Sequence, residues 1–272
     1  MWRMRVLLLP PQRLAKDLPV VWSIKTATIP IFFGGGLAFL DHDADGDPDL
    51  LTMKARRALD RADVVIHDRL VAPEILELAR REATILDVGK EGFGPSAKQE
   101  DINALIVEHT RRGAQVVRLK SGDSGIFGRL EEEIDALRAA GIEFEIIPGV
   151  TSACAAAAAA QIPLTRRLVA RRVQFVTGHD VAGALPGDLH LQSLADPGAT
   201  TVLFMPKRTF PALAEKLFAT GLRPDCPALL AENVSHPDQT LQRTTMAALA
   251  DQLTNEIKSP HNTEQSIINN LR

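Results

Sequence analysis

Cysteine is scarce: Cys154 and Cys226 are the only two in 272 residues. Two cysteines far apart and without a neighbouring metal-ligand pattern argue against a disulfide framework or a zinc site, which fits a reducing cytoplasm. Long apolar runs are missing too. The stretch Val6–Leu9 is cut by Pro10 and Pro11 and is too short for a signal-peptide core. Nothing approaches the roughly 20 apolar residues that a membrane-spanning helix needs. Neither sign of charge dominates, because the formal net charge is only −3, so there is no global nucleic-acid footprint. A soluble, cytoplasmic protein without nucleic-acid or membrane partners is expected. A locally basic cleft for a polyanionic small substrate stays open.

What is present is ordinary globular composition, 45% hydrophobic and 24% charged. From Leu50 onward, short β-branched runs alternate with segments that carry one apolar stripe. Strands are expected at 64–66, 83–88, 115–120 and 144–147, with helices at 73–82, 99–113 and 130–141 between them. The stripe Leu51, Ala55, Ala58, Leu59, Ala62 marks a further helix. Beyond Pro148-Gly149 a helix is expected at 151–161, where Ala153–Ala160 reads as a closely packed alanine-rich segment. Strands at 173–177, 200–205 and 228–232 and a helix at 211–221 follow, with an exposed loop region at 181–198. This alternation predicts an α/β protein with mostly parallel sheets. A boundary near Gly149 divides it into lobes at 40–149 and 150–260 with a cleft between them. Residues 1–39 lack a clear period, and 261–272 read as a polar tail.

In parallel sheets, functional groups collect where strands end. Four strand ends carry polar residues that a core does not require: His67-Asp68-Arg69, Gly89-Lys90, Lys120-Ser121-Gly122-Asp123 and Gly149-Val150-Thr151-Ser152. Thr151 also suits a helix cap. The cluster Arg166, Arg167, Arg171, Arg172 has the planar fork that recognises carboxylates, or is a solvated surface patch.

These segments carry a resemblance. His67–Val71, Val88–Lys90, Gln99–Asn103, Val117–Asp123, Ile126–Arg129, Pro148–Ser152, Ile162–Thr165 and Val176–His179 succeed one another as in the uroporphyrinogen-III C-methyltransferases of the tetrapyrrole methylase superfamily. The chain resembles that family from about Gly46 to Pro260. The resemblance implies a two-domain tetrapyrrole methylase fold with the active cleft between the lobes, S-adenosylmethionine as methyl donor, a tetrapyrrole substrate, a homodimer and no metal. It implies Asp68 as proton acceptor and Lys90 as proton donor. Cofactor contacts fall on Ser121, Gly122, Asp123, Ile126, Thr151, Ser152 and Met205, and substrate contacts on Arg69 and Arg167. Two methylations of neighbouring pyrrole rings would give precorrin-2.

The ends depart from the family. Asp41–Pro48 stands where the family has a glycine-rich cofactor loop, and only Gly46, Asp47 and Pro48 are kept. The same stretch matches the first half of a calcium loop, but Thr52 replaces the bidentate glutamate at its twelfth position. Val234 replaces a cofactor-contacting glycine, and the final apolar strand expected after Ser259-Pro260 is absent. Two other readings therefore stand beside the methyltransferase: a degenerate, non-catalytic tetrapyrrole- or cofactor-binding member, and a methylase for another corrinoid intermediate.

Overall fold

A computed structural model describes residues 21–24, 31–32, 38–42, 47–68, 71–89 and 98–258, with the backbone alone described before residue 47. The chain is α/β and forms two sheets. The first is built from β3 (Ala38–His42), β4 (Val64–His67), β5 (Thr84–Asp87), β6 (Val116–Ser121) and β7 (Glu145–Ile146). Its order is β5-β4-β6-β3-β7, parallel along that path, and the two-residue β2 (Ile31–Phe32) pairs antiparallel with β6. Helices α1 (Met53–Leu59), α2 (Pro73–Leu76), α3 (Gln99–Arg111) and α4 (Leu130–Ala139) connect its strands. One core cluster joins Leu59, Val65 and Ile66 to Ile75, Ile106 and Val117.

Strand β6 lies between β4 and β3, and all six of its residues are buried. Burial on both faces explains the apolar Val116, Val117 and Leu119. It does not explain Arg118 and Lys120. Register aligns the strand ends, with His67 opposite Leu119 and His42 opposite Ser121. The carboxyl ends of β3, β4 and β6 therefore lie side by side at one end of the sheet, where parallel α/β proteins bind ligands.

The second sheet contains β8 (Arg172–Thr177), β9 (Ala199–Phe204), β10 (Pro227–Glu232) and β11 (Thr240–Thr245). Helix α5 (Ser152–Ala159) packs its alanines against Val202, Phe204, Leu229 and Ala231. Small side chains allow that close approach, as expected for the alanine-rich run. A second cluster sets α7 (Phe210–Ala219) and α8 (Met246–Lys258) against Leu203, Ala228 and Leu230.

Several elements differ from the sequence-based expectation. Within the stretch expected to be irregular, β1 (Val21–Ile24) pairs in parallel with both β9 and β10, so the second sheet runs β11-β10-β1-β9-β8. Interior strands need partners for their backbone groups on both sides, and Val21, Trp22 and Ile24 are good strand formers. The helix expected at 73–82 ends at Leu76, after which Leu78 and Ala79 bond back only three residues. The Leu78 carbonyl accepts from Arg56 Nη1 at 3.0 Å instead of continuing a helix. Inside the loop region at 181–198, α6 (Leu191–Leu194) buries Leu194. Strand β11 and α8 were not anticipated. Thr240–Thr245 is a largely polar edge, antiparallel to β10, whereas α8 buries Met246, Leu249 and Leu253 at helical spacing.

Candidate active site

Asp68 follows β4 directly, and its backbone N–H donates to the Leu119 carbonyl at 3.2 Å, which fixes it at the edge of β6. Its Oδ1 accepts from Arg118 Nη2 at 2.5 Å. Arg118 is 1% exposed and spans the gap between Asp68 and α4, where its Nε donates to Glu133 Oε1 at 3.1 Å. Lys120, on the same face of β6, donates from Nζ to Glu133 Oε2 at 2.7 Å and to the Gly128 carbonyl. Two cations and two carboxylates thus balance beside the first sheet, as burial of charge requires. Burial alone would lower the Arg118 guanidinium, but the attraction of Asp68 and Glu133 outweighs it and raises it. Burial pushes the Lys120 ammonium down, with Glu133 opposing.

The loops after β6 and β7 meet next to this network. Gly122 has φ +89°, a conformation that glycine adopts freely and that turns the chain sharply at the strand end. Asp123 then makes three bonds that tie its own loop to the one after β7. Its Oδ1 accepts from Gly125 N at 2.8 Å, its Oδ2 from Gly149 N at 3.3 Å, and its carbonyl from Ile126 N at 2.9 Å. Thr151 caps α5, its hydroxyl accepting from Ala153 N at 3.4 Å. Ile126 and Met205 both pack on the cluster formed by α5 and Phe204. Met205 has φ +54°, a sparsely populated conformation for a non-glycine residue, immediately after β9.

Four buried side-chain oxygens have no hydrogen-bond partner among the described residues: Asp68 Oδ2 and the hydroxyls of Ser121, Ser124 and Ser152. Buried polar atoms are nearly always satisfied, so such a group marks a place where a polar ligand fits. Three of the four belong to residues that the sequence nominated. A cavity of about 510 Å³, lined by Asp47, Pro48, Ala72, Glu74, His236 and Pro237, includes none of these four residues. It is within the size range of small-molecule sites.

The structure therefore brings Asp68, Ser121, Gly122, Asp123, Ile126, Thr151, Ser152 and Met205 onto strand ends, loops or helix starts of one α/β framework. It does not gather every nominated residue. Arg69 and Lys90 lie outside the described residues, as do 43–46 of the proposed calcium loop. Arg167 is exposed on the segment between α5 and β8, with no hydrogen bond or ion pair to the site among the described residues. Its neighbour Arg172 is paired with Asp196. Val234 is 3% exposed and packs in the core cluster beside α5, between Asn233 (φ +49°) and Ser235 (φ +61°). Among the described residues no group of three or more His, Cys, Asp or Glu side chains is placed to hold a metal, and no helix is long and apolar enough to cross a membrane.

Sequence reasoning gave no role to Arg118, Lys120, Glu133 or Ser124, although it placed Lys120 among the polar strand ends. The signal for the first two was available: cations two residues apart in Val116–Ser121 share one face of a strand whose neighbours are apolar. Glu133 carried none, since it stands in the run Glu131-Glu132-Glu133, which reads as a charged helix start.

Known proteins bear on this arrangement. The family described as Tetrapyrrole (Corrin/Porphyrin) Methylases matches residues 45–250. The chain is 44% identical over 226 residues to the S-adenosyl-L-methionine-dependent uroporphyrinogen III methyltransferase, chloroplastic, of Arabidopsis thaliana, covering 83% of this chain and 60% of that protein. It is 46% identical over 214 residues to a siroheme synthase of Pseudomonas aeruginosa, covering 79% of this chain and 46% of that one. The chain thus spans about half the length of these curated relatives. The crystal structure of uroporphyrin-III C-methyl transferase from Thermus thermophilus complexed with S-adenyl homocysteine matches with TM-score 0.66 at 31% identity, over 86% of each chain. From the matched span, the shared fold and the strand-end loops, the chain belongs to the tetrapyrrole (corrin/porphyrin) methylases.

Proposed function

We propose that this chain is an S-adenosylmethionine-dependent C-methyltransferase that methylates uroporphyrinogen III at two pyrrole rings, giving precorrin-2 for sirohaem or cobalamin synthesis. The observation that carries the reading is the set of unpartnered oxygens on Asp68, Ser121, Ser124 and Ser152. They lie in the strand-end loops that family resemblance assigns to cofactor and base. The division into two lobes near Gly149, a dimeric state and a cytoplasmic compartment belong to the same reading.

When bound, S-adenosylmethionine supplies an electrophilic methyl group on a sulfonium. The chain's own residues do the rest. The backbone around Gly122, with its neighbours tied by Asp123 to Gly149, forms a cradle in which a ligand can approach the main chain closely. Ser121, Ser124 and Ser152 offer hydroxyls to its polar groups. Ile126 and Met205 give an apolar wall, and exclusion of water there favours a step in which the positive charge is lost. The methylated pyrrole carbon then releases its hydrogen as a proton, which Asp68 Oδ2 accepts. Arg118 holds the other carboxylate oxygen. Lys90 donates a proton in the same reading, and the arginines Arg69 and Arg167 meet substrate carboxylates.

The acids of Asp41–Asp47 favour a second reading, a member that binds tetrapyrrole or cofactor without turnover. Calorimetry with S-adenosylhomocysteine tests the first. Micromolar binding is expected, and no heat at millimolar ligand would overturn the proposal that these loops hold the cofactor.

A further inference from the structure

Glu133 lies on α4, outside every strand-end loop, yet it is 0% exposed and makes three bonds. Its Oε1 accepts from Arg118 Nε at 3.1 Å and from Gln99 Nε2 at 3.1 Å, and its Oε2 accepts from Lys120 Nζ at 2.7 Å. The Arg118 guanidinium is held on all sides. Besides Glu133 and Asp68, its Nη1 donates to the carbonyls of Leu119 at 3.1 Å and Ile66 at 3.4 Å. A planar fork fixed at its Nε edge can present its far nitrogen in one direction only, and that direction is Asp68 Oδ1.

Lys120 gives Glu133 a second task. Its ammonium is 2% exposed and stands within electrostatic reach of Asp68. Were Glu133 neutral, two buried cations would face the single carboxylate of Asp68. The Lys120 ammonium would then be drawn toward Asp68, whose Oδ2 has no partner among the described residues. A carboxylate engaged at both oxygens is a poor proton acceptor, because accepting the proton would break a charge-assisted bond.

We infer that Glu133 is a positioning residue for the methyl-transfer reaction: it fixes Arg118 and draws Lys120 aside, so that Asp68 is held by one oxygen and free at the other. The inference rests on the reading of Asp68 as proton acceptor.

Four variants test it beside the parent: Asp68→Asn, Glu133→Gln, Glu133→Asp, and Glu133→Gln combined with Lys120→Gln. Each is assayed for kcat and KM with uroporphyrinogen III, for S-adenosylhomocysteine affinity and for melting temperature. Glu133→Gln is expected to lower kcat about a hundredfold, the scale of a misplaced catalytic group, with cofactor affinity and KM within about twofold of the parent. The double variant, which restores one cation to one carboxylate, is expected to recover at least about tenfold of that loss, and Glu133→Asp part of it. Parental turnover in Asp68→Asn would overturn the reading of Asp68 and this inference with it. An inactive Asp68→Asn beside a fully active Glu133→Gln would overturn the inference alone. So would equal losses of kcat, cofactor affinity and melting temperature in Glu133→Gln that the double variant does not repair, since that pattern marks a structural role.

Discussion

Asp123 Oδ2 accepts the Gly149 amide at 3.3 Å, joining the loop that leaves β6 to the loop that leads into α5. The bond spans 26 residues and brings Ser121 and Ser152 into one neighbourhood. Asp123→Ala removes this tie and the one to Gly125. Each hydrogen bond contributes about 0.5–1.5 kcal/mol, so S-adenosylhomocysteine affinity should fall about tenfold or more. Titration of the two proteins checks it, and equal affinities would mean that this junction does not shape the cofactor site.

Gly122 is expected to resist any side chain. At φ +89° a β-branched residue is strained, by about 1–2 kcal/mol from backbone alone, and its bulk enters the cradle. Gly122→Val should therefore weaken cofactor binding far more than it lowers the melting temperature.

Gly178 makes a separate demand, on stability. A Cβ there would stand 2.4 Å from Pro206 Cα and 3.0 Å from Pro206 N. Backbone cannot yield cheaply, so Gly178→Ala should destabilise by about 1–3 kcal/mol, the cost of overpacking. Urea denaturation reads it directly, and an unchanged midpoint would mean that β8 and the turn after β9 are not packed this closely.

The two cysteines should react differently. Cys154 is exposed on α5, whereas burial pushes the Cys226 thiol up to about 11. A raised value leaves almost no thiolate at neutral pH, and thiolate is the nucleophile. One thiol per chain should react with a thiol reagent in the native protein and two after denaturation. Fast reaction of both in the native state would contradict the burial of Cys226 behind β10.

The strands were legible because Val64–Ile66, Val202–Phe204 and Ala228–Ala231 are short apolar runs within segments bounded by turn residues. The site loops were legible because their polar residues interrupt that pattern at strand ends. Other features were not. Val21–Ile24 gains its role only from β9 and β10, which lie far along the chain. Thr240–Thr245 pairs through its backbone, which leaves no mark in side-chain type. Glu133 looks like one of three helix-start acids, and only folding buries it against Arg118. Local patterns report which face is apolar. They do not report which distant charges will meet.

In the sequence Asp41–Asp45 reads as an altered cofactor loop, but its first two residues, Asp41 and His42, end β3, and 43–45 lie outside the described residues. Placing glycine at His42 and Ala44 and proline at Asp45 should tighten cofactor binding, since glycines permit a close turn and the stretch carries one acid fewer. Calcium should not raise the parent's melting temperature, and a clear upward shift would point to the non-catalytic reading of this end.

The base assignment makes a sharp demand on one residue. Asp68→Ala should lower turnover by roughly 10²–10⁴-fold, as loss of a general base does, while S-adenosylhomocysteine affinity holds. Unchanged turnover in the purified variant would remove Asp68 from the mechanism.

The most direct measurement is turnover of the purified chain with uroporphyrinogen III and methyl-labelled S-adenosylmethionine under reducing conditions, followed by mass analysis of the tetrapyrrole. Two labelled methyl groups per product molecule are predicted, each on a ring carbon. An unmethylated tetrapyrrole recovered after incubation with protein that binds S-adenosylhomocysteine would contradict the account.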